Sequence, residues 1–327
     1  MRSKKPNTVW GYYWPVEIQD NCRKGKKLLR AAAAIPGGPS KHECNLKCIF
    51  CFTNCGTRFS QGRTISNENV IDFLKDASRF AYDKNLFNYF LVSEGEPTLN
   101  PQLIPMLNEI SSLGGTITIF SNLLELTDEI IDAFTNIKNL FVCGKMYGYK
   151  PETNDYLTGV NGSYKKMMSN IELLKERGLA EENRLGIQCV LTTYNIAEAF
   201  DIYKWARESN IVPHMMMFRK QGLGENHAEL ELPIFELKNF FEKCAEYDRA
   251  VWGFEWIPKL PLLVHGDCKI PGINIYLTNN GDLKMCACSD TPLGNFFETD
   301  LEPVLYSESF QKVRDQGKCL MYVEDQQ

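Results

Sequence analysis

Three cysteines within eight residues constrain this chain more than any other feature of its sequence. Cys44, Cys48 and Cys51 follow the spacing C-x3-C-x2-C. Thiolates in one loop converge on a single soft metal centre, and sulfur ligation is typical of zinc or of an iron–sulfur cluster. Such sites ordinarily take four protein ligands, so three leave one position open. Cys55, four residues further on, could supply a fourth ligand, and the cysteine count alone leaves both possibilities open.

The composition narrows the classes of protein that could hold such a centre. The chain has twelve cysteines and no apolar stretch after its charged N-terminus that would form an export signal. We therefore expect reduced thiols in a cytoplasmic protein, used for metal or redox chemistry rather than for disulfides. A net charge of −5 indicates no nucleic-acid partner. No apolar run approaches the roughly 20 residues of a membrane span.

Strands and helices are predicted to alternate after the cysteine loop. Short apolar runs predict strands, and the segments between them have the apolar spacing of amphipathic helices. Alternation of this kind indicates parallel βαβ units, of which about six fit between residues 40 and 220. That is fewer than the eight of a closed barrel, so we expect an α/β fold with an open, partial (β/α)6 TIM-like barrel. The predicted strands are 88–93, 116–120, 140–143, 186–191 and 212–218.

The C-terminal part has a different pattern. A helix is predicted over about 233–248, and two strand-like runs follow at 273–277 and 283–286. Asn280-Gly281 lies between those runs and is a strong signal for a β-hairpin. A last helix is predicted over about 304–313. The sequence thus predicts an irregular lead-in (1–40), a barrel (41–232) and a small C-terminal hairpin and helix module (233–327).

The cysteine loop resembles the signature loop of the radical S-adenosylmethionine (radical SAM) superfamily. Cys44, Cys48 and Cys51 match its spacing, and Phe50 is the aromatic residue before the last thiol. The resemblance implies that the three cysteines hold a [4Fe–4S] cluster and that S-adenosylmethionine chelates the fourth iron. Reduction of the cluster then cleaves the cofactor to a 5′-deoxyadenosyl radical, which abstracts hydrogen from a substrate.

Two later segments also resemble that family. Glu94-Gly95-Glu96-Pro97 is similar to its Gly-Gly-Glu-Pro segment, which holds the methionine amino group through its backbone and its Glu side chain. Glu94 stands here in place of the first Gly. Ser121 and Asn122 follow the next predicted strand, where the family places polar residues near the ribose or the carboxylate of the cofactor. A barrel builds its site at the carboxyl ends of its strands, so all these segments lie on the expected rim.

The C-terminal cysteines resemble a second family feature. Cys268-x12-Gly281-x4-Cys286 is similar to the opening of SPASM and shorter twitch extensions, which carry auxiliary [4Fe–4S] clusters. Cys288 and Cys319 would complete one auxiliary cluster and not two. A single residue separates Cys286 from Cys288, which is an awkward spacing for two ligands of one cluster.

Three residues near the ends of the later strands are candidates for contact with the substrate. Cys143 could return a hydrogen atom to a substrate radical, as in radical epimerases, or could be a core cysteine. Lys145 and Arg219 could bind an anionic or hydroxyl-rich substrate, or could be solvated cations.

These features predict a radical SAM enzyme that acts on a small polar metabolite such as a carbohydrate or aminocyclitol. The outcome would be dehydrogenation or epimerisation, with a flavodoxin or ferredoxin as the reducing partner. The alternative is a maturase that modifies a ribosomal peptide. We expect the metabolite because the lead-in is too short for the leader-binding domain that such maturases often carry. A third hypothesis, from a different class, is an iron–sulfur electron carrier without catalysis.

Overall fold

One open sheet with a parallel centre organises the chain. The structure is a computed structural model that describes residues 8–37, 43–53, 64–260, 262–264, 266–268, 270–289 and 291–317. Six parallel strands pair in chain order, each with the next. They are β1 (Arg30–Pro36), β2 (Asn88–Glu94), β3 (Thr116–Phe120), β4 (Leu140–Lys145), β5 (Leu185–Leu191) and β6 (Val212–Met217).

Five short strands extend this centre at its two edges. Beyond β6 lie β7 (Leu262–Leu263) and β8 (Gly266–Asp267), both antiparallel to their neighbours. At the other edge β9 (Asn274–Leu277) pairs parallel with β1, and β10 (Asp282–Lys284) and β11 (Gly294–Asn295) follow antiparallel. The two outermost strands, β11 and β8, do not pair with each other, so the sheet is not closed.

Ten α-helices accompany the strands in the described part of the chain, and several begin at residues that cap them. The side chain of Ser66 accepts from the backbone of Asn69, whose side chain accepts in return, and the side chain of Thr127 accepts from the amide of Ile130. The helices are α1 (Val16–Lys24), α2 (Asn67–Ser78), α3 (Leu103–Ser112), α4 (Asp128–Asn136), α5 (Pro151–Thr158), α6 (Ser163–Glu176), α7 (Ile196–Glu208), α8 (Ile234–Tyr247), α9 (Leu301–Leu305) and α10 (Glu308–Gln316).

This architecture confirms the predicted fold class, an α/β partial parallel barrel, and corrects three local predictions. The lead-in is not irregular, since it contains α1 and β1, the strand that pairs with β2. Asn100-Pro101 in the sequence predicts the start of a helix there, but α3 begins at Leu103, after a short 3₁₀ turn. The helix predicted over 304–313 is two helices, α9 and α10, because Ser307 caps a new helix there. The division at residue 232 stays a prediction.

The N-terminal segment (residues 8–15) lies inside the barrel. Thr118 Oγ1 donates to the carbonyl of Trp10 at 2.9 Å, and Arg30 Nη1 donates to the carbonyl of Gly11 at 3.1 Å. Gly11 has a φ of +80°, and a Cβ there would lie 2.1 Å from Asn88 Oδ1, so only glycine fits. Arg30 and Asn88 are the first residues of β1 and β2, and Thr118 lies in β3, so the segment enters from the amino ends of the strands and brings Tyr12 inward.

None of the helices in the described ranges is both long enough and apolar enough to cross a membrane.

A buried carboxylate joins α7 to the turn that follows α8. Asp248 is fully buried and accepts from Arg207 Nε at 2.9 Å, Tyr203 OH at 2.5 Å and Trp256 Nε1 at 2.9 Å. Arg207 and Tyr203 belong to α7, so one carboxylate holds three side chains from two parts of the fold.

We expect the Asp248→Ala variant to lose about 3–5 kcal/mol of unfolding free energy, because it leaves the Arg207 guanidinium buried without its carboxylate. Chemical denaturation measures the loss. The matched control is Asp132→Ala, which breaks an ion pair with Arg177 whose side chains are 59% and 45% exposed. Exposed pairs contribute about 0–1 kcal/mol. Equal losses in the two variants would contradict this assignment.

Candidate active site

The cysteine loop lies at the carboxyl ends of the strands, against the end of α5. The amide of Lys47 donates to the carbonyl of Thr158 at 2.8 Å, and that of Ile49 to Leu157 at 3.2 Å. Phe50 is buried and its ring meets Tyr147 edge-on at 4.8 Å. The loop therefore has fixed anchors in the barrel, and its three cysteines face a common cleft of about 1160 Å³.

The three thiols are close enough to influence one another's ionisation. Burial raises the pKa of Cys48 above its usual range, and the nearby Cys51 raises it further. Burial also raises the pKa of Cys44. The positive charge of Lys145, which lines the same cleft, lowers the pKa of both thiols. A cluster bound here would take the thiols as thiolates, because metal binding displaces their protons.

The set of donors fits an iron–sulfur cluster. Three half-buried thiols and one lysine line the same wall of the cleft. Within the described ranges, no three His, Cys, Asp or Glu side chains form a site for a single metal ion. Cys55, the possible fourth ligand, lies outside the described residues.

The segment after β2 packs directly on the start of this loop. The amide of Glu96 donates to the carbonyl of Glu43 at 2.8 Å. Gly95 has a φ of +135°, and a Cβ there would lie 2.9 Å from both Glu43 O and Gly37 Cα. Glycine is therefore required at the middle of Glu94–Pro97, where two backbones meet.

The carboxylate of Glu96 joins the ends of β2 and β3. It is fully buried, and its Oε1 accepts from Ser121 Oγ at 2.6 Å and from the amide and hydroxyl of Thr98. Its Oε2 accepts from the amide of Asn122 at 2.7 Å. The resemblance assigned this side chain to the methionine amino group. Here its hydrogen bonds go to the chain itself, so it positions Ser121 and Asn122, while Pro97 opens the 3₁₀ turn that follows.

Asn122 connects this rim to the cysteine loop. Its Nδ2 donates to Asn45 Oδ1 at 2.6 Å and lies 4.0 Å from Cys44 Sγ. Its Oδ1 accepts from the amide of Leu124 at 2.9 Å. Asn122 and Gly95 both line the cleft, whereas Ser121 is buried behind it.

Glu94 points away from the cleft, towards the C-terminal hairpin. Its Oε1 accepts from Tyr276 OH at 2.6 Å, and its Oε2 accepts from the amide of Asn279 at 3.3 Å. Burial raises the pKa of Glu94, although these hydrogen bonds oppose the rise. The residue that replaces the family's first Gly thus ties the end of β2 to β9.

A second cavity, of about 760 Å³, adjoins the first. Cys268, Cys286 and Cys288 line it, and a hydrogen bond with Cys288 is the largest of the effects that raise the pKa of Cys286. The structure thus brings together three of the four predicted auxiliary ligands, and Cys319 lies outside the described residues. The two cavities share the side chains of Tyr12, Phe90, Val92, Met216, Met217, Arg219, Ala287 and Cys288.

Lys145 and Cys143, two of the three candidates for contact with the substrate, have different environments. Lys145 lines the cleft, and although burial lowers its pKa, Glu96 and the three cysteines raise it overall. Cys143 is fully buried, packs in a cluster with Val9, Phe120 and Phe141, and lines neither cavity. Its position is that of a core cysteine, and burial raises the pKa of its thiol.

Sequence reasoning missed Tyr12 and Arg30, which line the second cavity. Both lie in the part of the chain that was predicted as an irregular lead-in. The aromatic residues around Tyr12 indicated a packed segment, but no motif pointed to Arg30 within an alanine-rich strand.

Residues 41–206 match the Radical SAM superfamily, and the chain belongs to that family. Membership implies a [4Fe–4S] cluster and S-adenosylmethionine, and it makes the protein a radical SAM enzyme rather than a plain electron carrier. The cysteine loop and the segments after β2 and β3 are the parts of the structure that fit those groups.

Known proteins similar to this chain come from several organisms. It is 20% identical to the AdoMet-dependent heme synthase of Methanosarcina barkeri (strain Fusaro / DSM 804) over 84% of each chain. It is 22% identical to the sporulation killing factor maturation protein SkfB of Bacillus subtilis (strain 168), over 80% of this chain and 62% of SkfB. The crystal structure of Streptococcus suis SuiB bound to precursor peptide SuiA is similar in fold, with a TM-score of 0.64, 15% identity, and coverage of 91% of this chain and 69% of SuiB.

We expect Glu96→Gln to weaken S-adenosylmethionine binding about tenfold to a hundredfold. One carboxylate oxygen faces the Thr98 amide and the other the Asn122 amide, so the Gln NH₂ must face a backbone N–H in either orientation. A hydrogen bond to a charged group contributes about 1.5–3 kcal/mol, and about 1.4 kcal/mol is a factor of ten in affinity. Calorimetric titration of the reconstituted protein with S-adenosylmethionine measures the change.

The control is Glu125→Gln, which removes the charge from an exposed ion pair with Lys166 on the same side of the barrel. Its affinity for the cofactor should stay within twofold. Unchanged affinity in Glu96→Gln would show that the ends of β2 and β3 do not need this carboxylate.

Proposed function

We propose that this radical SAM enzyme modifies a peptide, taking a hydrogen atom from one residue of a ribosomally made precursor. This replaces the small polar metabolite expected from the short lead-in, because the comparisons give no support for that substrate. SkfB is a maturation protein, and SuiB is known in complex with its precursor peptide.

The shape and lining of the cleft carry this proposal. Its wall between the cysteine loop and β6 is formed by aromatic and aliphatic side chains together with two methionines, and no carboxylate side chain is among the described lining residues. Methionine side chains adapt their shape and suit surfaces that accept apolar groups of varied form. Such a surface would accommodate a single amino-acid side chain that enters from an extended peptide. A sugar would need many more polar side chains to bind its hydroxyl groups.

The residues of the rim divide into two groups by what they would hold. Cys44, Cys48 and Cys51 would ligate the [4Fe–4S] cluster, which supplies the electron that cleaves S-adenosylmethionine. Gly95 and Asn122 line the cleft and would contact the cofactor, with Glu96 and Ser121 holding them in place. Phe50, behind the loop, would exclude water from the cluster. Lys145 would neutralise negative charge at the boundary of cofactor and substrate.

An auxiliary [4Fe–4S] cluster in the second cavity completes the proposal. Cys268, Cys286 and Cys288 line that cavity, and Cys319 would supply the fourth thiolate. The shared wall with the first cavity supports an electron path between substrate and auxiliary cluster. With Cys143 outside both cavities, net oxidation is a better fit than epimerisation. Electrons for cofactor cleavage would come from a flavodoxin or ferredoxin, as is general for the family.

A second candidate substrate is a tetrapyrrole with carboxylate side chains. It is favoured by the similarity to the heme synthase over 84% of both chains, and by the two cations, Lys145 and Arg219, in the cleft. The peptide remains the main proposal because apolar side chains predominate in the lining of the cleft and because SkfB and SuiB are both associated with peptides.

We expect Cys48→Ala to abolish 5′-deoxyadenosine formation when reduced, reconstituted protein is mixed with S-adenosylmethionine. The matched variant Cys286→Ala should still form it, because its thiol lies in the second cavity. Iron content should fall in both variants from about eight per chain to about four, one four-iron cluster being lost in each. Product formation by Cys48→Ala equal to the unsubstituted protein would refute the site, and about four iron atoms in the unsubstituted protein would refute the auxiliary cluster.

The substrate class is tested with peptides encoded by short reading frames beside the gene. We expect one such peptide to speed 5′-deoxyadenosine formation and to lose two hydrogen atoms, which mass spectrometry detects. Deuterium placed on the modified residue should appear in the 5′-deoxyadenosine. The control is an iron tetrapyrrole with free propionates. Acceleration by the tetrapyrrole and by none of the peptides would favour the second candidate.

A further inference from the structure

Arg30 is a buried cation at the wall of the second cavity. It is 5% exposed, at the first position of β1, where it pairs in register with Asn274 of β9. Its Nε donates to Asn274 Oδ1 at 2.7 Å, and its Nη1 donates to the carbonyl of Gly11 at 3.1 Å. The guanidinium lies over the rings of Phe90, at 4.4 Å, and Tyr12, at 5.2 Å. Four contacts, from the N-terminal segment, β2 and β9, thus hold it in one orientation.

No carboxylate in the described part of the chain forms an ion pair with Arg30, whose hydrogen-bond acceptors there are neutral. A guanidinium stays charged in proteins, and a buried charge without an opposite charge is strongly unfavourable. The other buried arginines with charged partners show the usual solution, as Arg207 pairs with Asp248 and Arg184 with Glu182. Arg314, which is also buried, instead donates to three backbone carbonyls, whereas Arg30 donates to one side-chain amide and one carbonyl, so an anion beside Arg30 would offset the cost of its burial.

The cavity beside Arg30 contains groups that become anionic when metal binds. Cys268, Cys286 and Cys288 line it together with Arg30, and the charges of Cys268 and Cys286 are among those that act on the guanidinium. An iron–sulfur cluster held by thiolates is an anion overall, and its charge becomes more negative on reduction. A fixed cation next to it favours the reduced form.

We propose that Arg30 is the fixed counter-charge of the auxiliary cluster and raises its reduction potential, so that the cluster accepts an electron during turnover. This rests on the auxiliary cluster of the proposed function. Cys268, Cys286 and Cys288 would help to hold this cluster, which when bound would supply a one-electron acceptor on the path from the substrate, while the substrate's proton would go to water and Arg30 would stabilise the reduced state of the cluster. Phe90 and Tyr12, which contact Arg30 and line both cavities, lie along that path.

The test is a redox titration of the fully loaded enzyme, followed by electron paramagnetic resonance. Addition of S-adenosylmethionine changes the signal of the cluster that binds it, which tells the two clusters apart. In Arg30→Gln we expect the auxiliary cluster to become harder to reduce, with a reduced-to-oxidised ratio at fixed potential about tenfold lower, or about 59 mV for one electron. Arg30→Lys, which keeps the charge, should recover most of this shift. The S-adenosylmethionine-binding cluster of the same sample is the internal control and should shift much less.

A second variant leaves Arg30 in place and cancels its charge. Asn274→Asp keeps the acceptor for Arg30 Nε and adds a carboxylate beside the guanidinium, so the auxiliary cluster should again become harder to reduce. The matched control is Asn280→Asp, which adds the same charge at the exposed turn of the same hairpin, away from both cavities. This pair keeps the test decisive if Arg30→Gln fails to fold.

The possible outcomes separate this proposal from the one on which it rests. Unchanged auxiliary potentials in Arg30→Gln and Asn274→Asp, with both clusters present, would overturn the role of Arg30 and leave the auxiliary cluster standing. Absence of a second cluster from the unsubstituted enzyme would overturn both. Equal shifts in Asn274→Asp and Asn280→Asp would show a general charge effect, which also overturns the assignment to Arg30.

Discussion

The buried carboxylate of Glu96 is the interaction on which the rim of the barrel depends. Parallel strands bring their carboxyl ends to one edge of a sheet, but the loops beyond them need further contacts to take fixed positions. Glu96 supplies them, since its side chain binds Ser121 and Asn122 and its amide binds Glu43 at the start of the cysteine loop. A buried carboxylate keeps its charge only when several hydrogen-bond donors surround it. The hydrogen bonds of Glu96 therefore join the end of β2, the end of β3 and the start of the cysteine loop.

A second constraint is the pairing of β9 with β1, which brings the C-terminal cysteines beside the barrel. β9 adds a parallel strand at the edge that β1 would otherwise leave open, and Arg30 lies opposite Asn274 in that pair. The Glu94 contact with Tyr276 fixes the same hairpin to the end of β2. The hairpin is therefore held at both ends of the strands, and the second cavity shares a wall with the first.

Much of this site could be predicted from local sequence. Cys44, Cys48 and Cys51 lie within one loop, so their convergence needs no knowledge of the fold, and the Asn280-Gly281 turn predicted its hairpin for the same reason. Arg30 could not be found in this way. A lone arginine at the start of an alanine-rich strand belongs to no recognisable sequence motif. Its position is explained by the hydrogen bond to Asn274, 244 residues away in the chain.

Closely spaced thiols and turn residues act over a few positions, so the local sequence was sufficient to predict the cysteine loop and the hairpin turn. It also determined the fold class, through the alternation of apolar strands with amphipathic helices. The lining of the cleft and of the second cavity, by contrast, depends on tertiary contacts. The N-terminal segment brings Tyr12 into the barrel. Cys143 is buried in a cluster of apolar side chains and lines neither cavity. Such placements depend on contacts between distant segments, which no local pattern records.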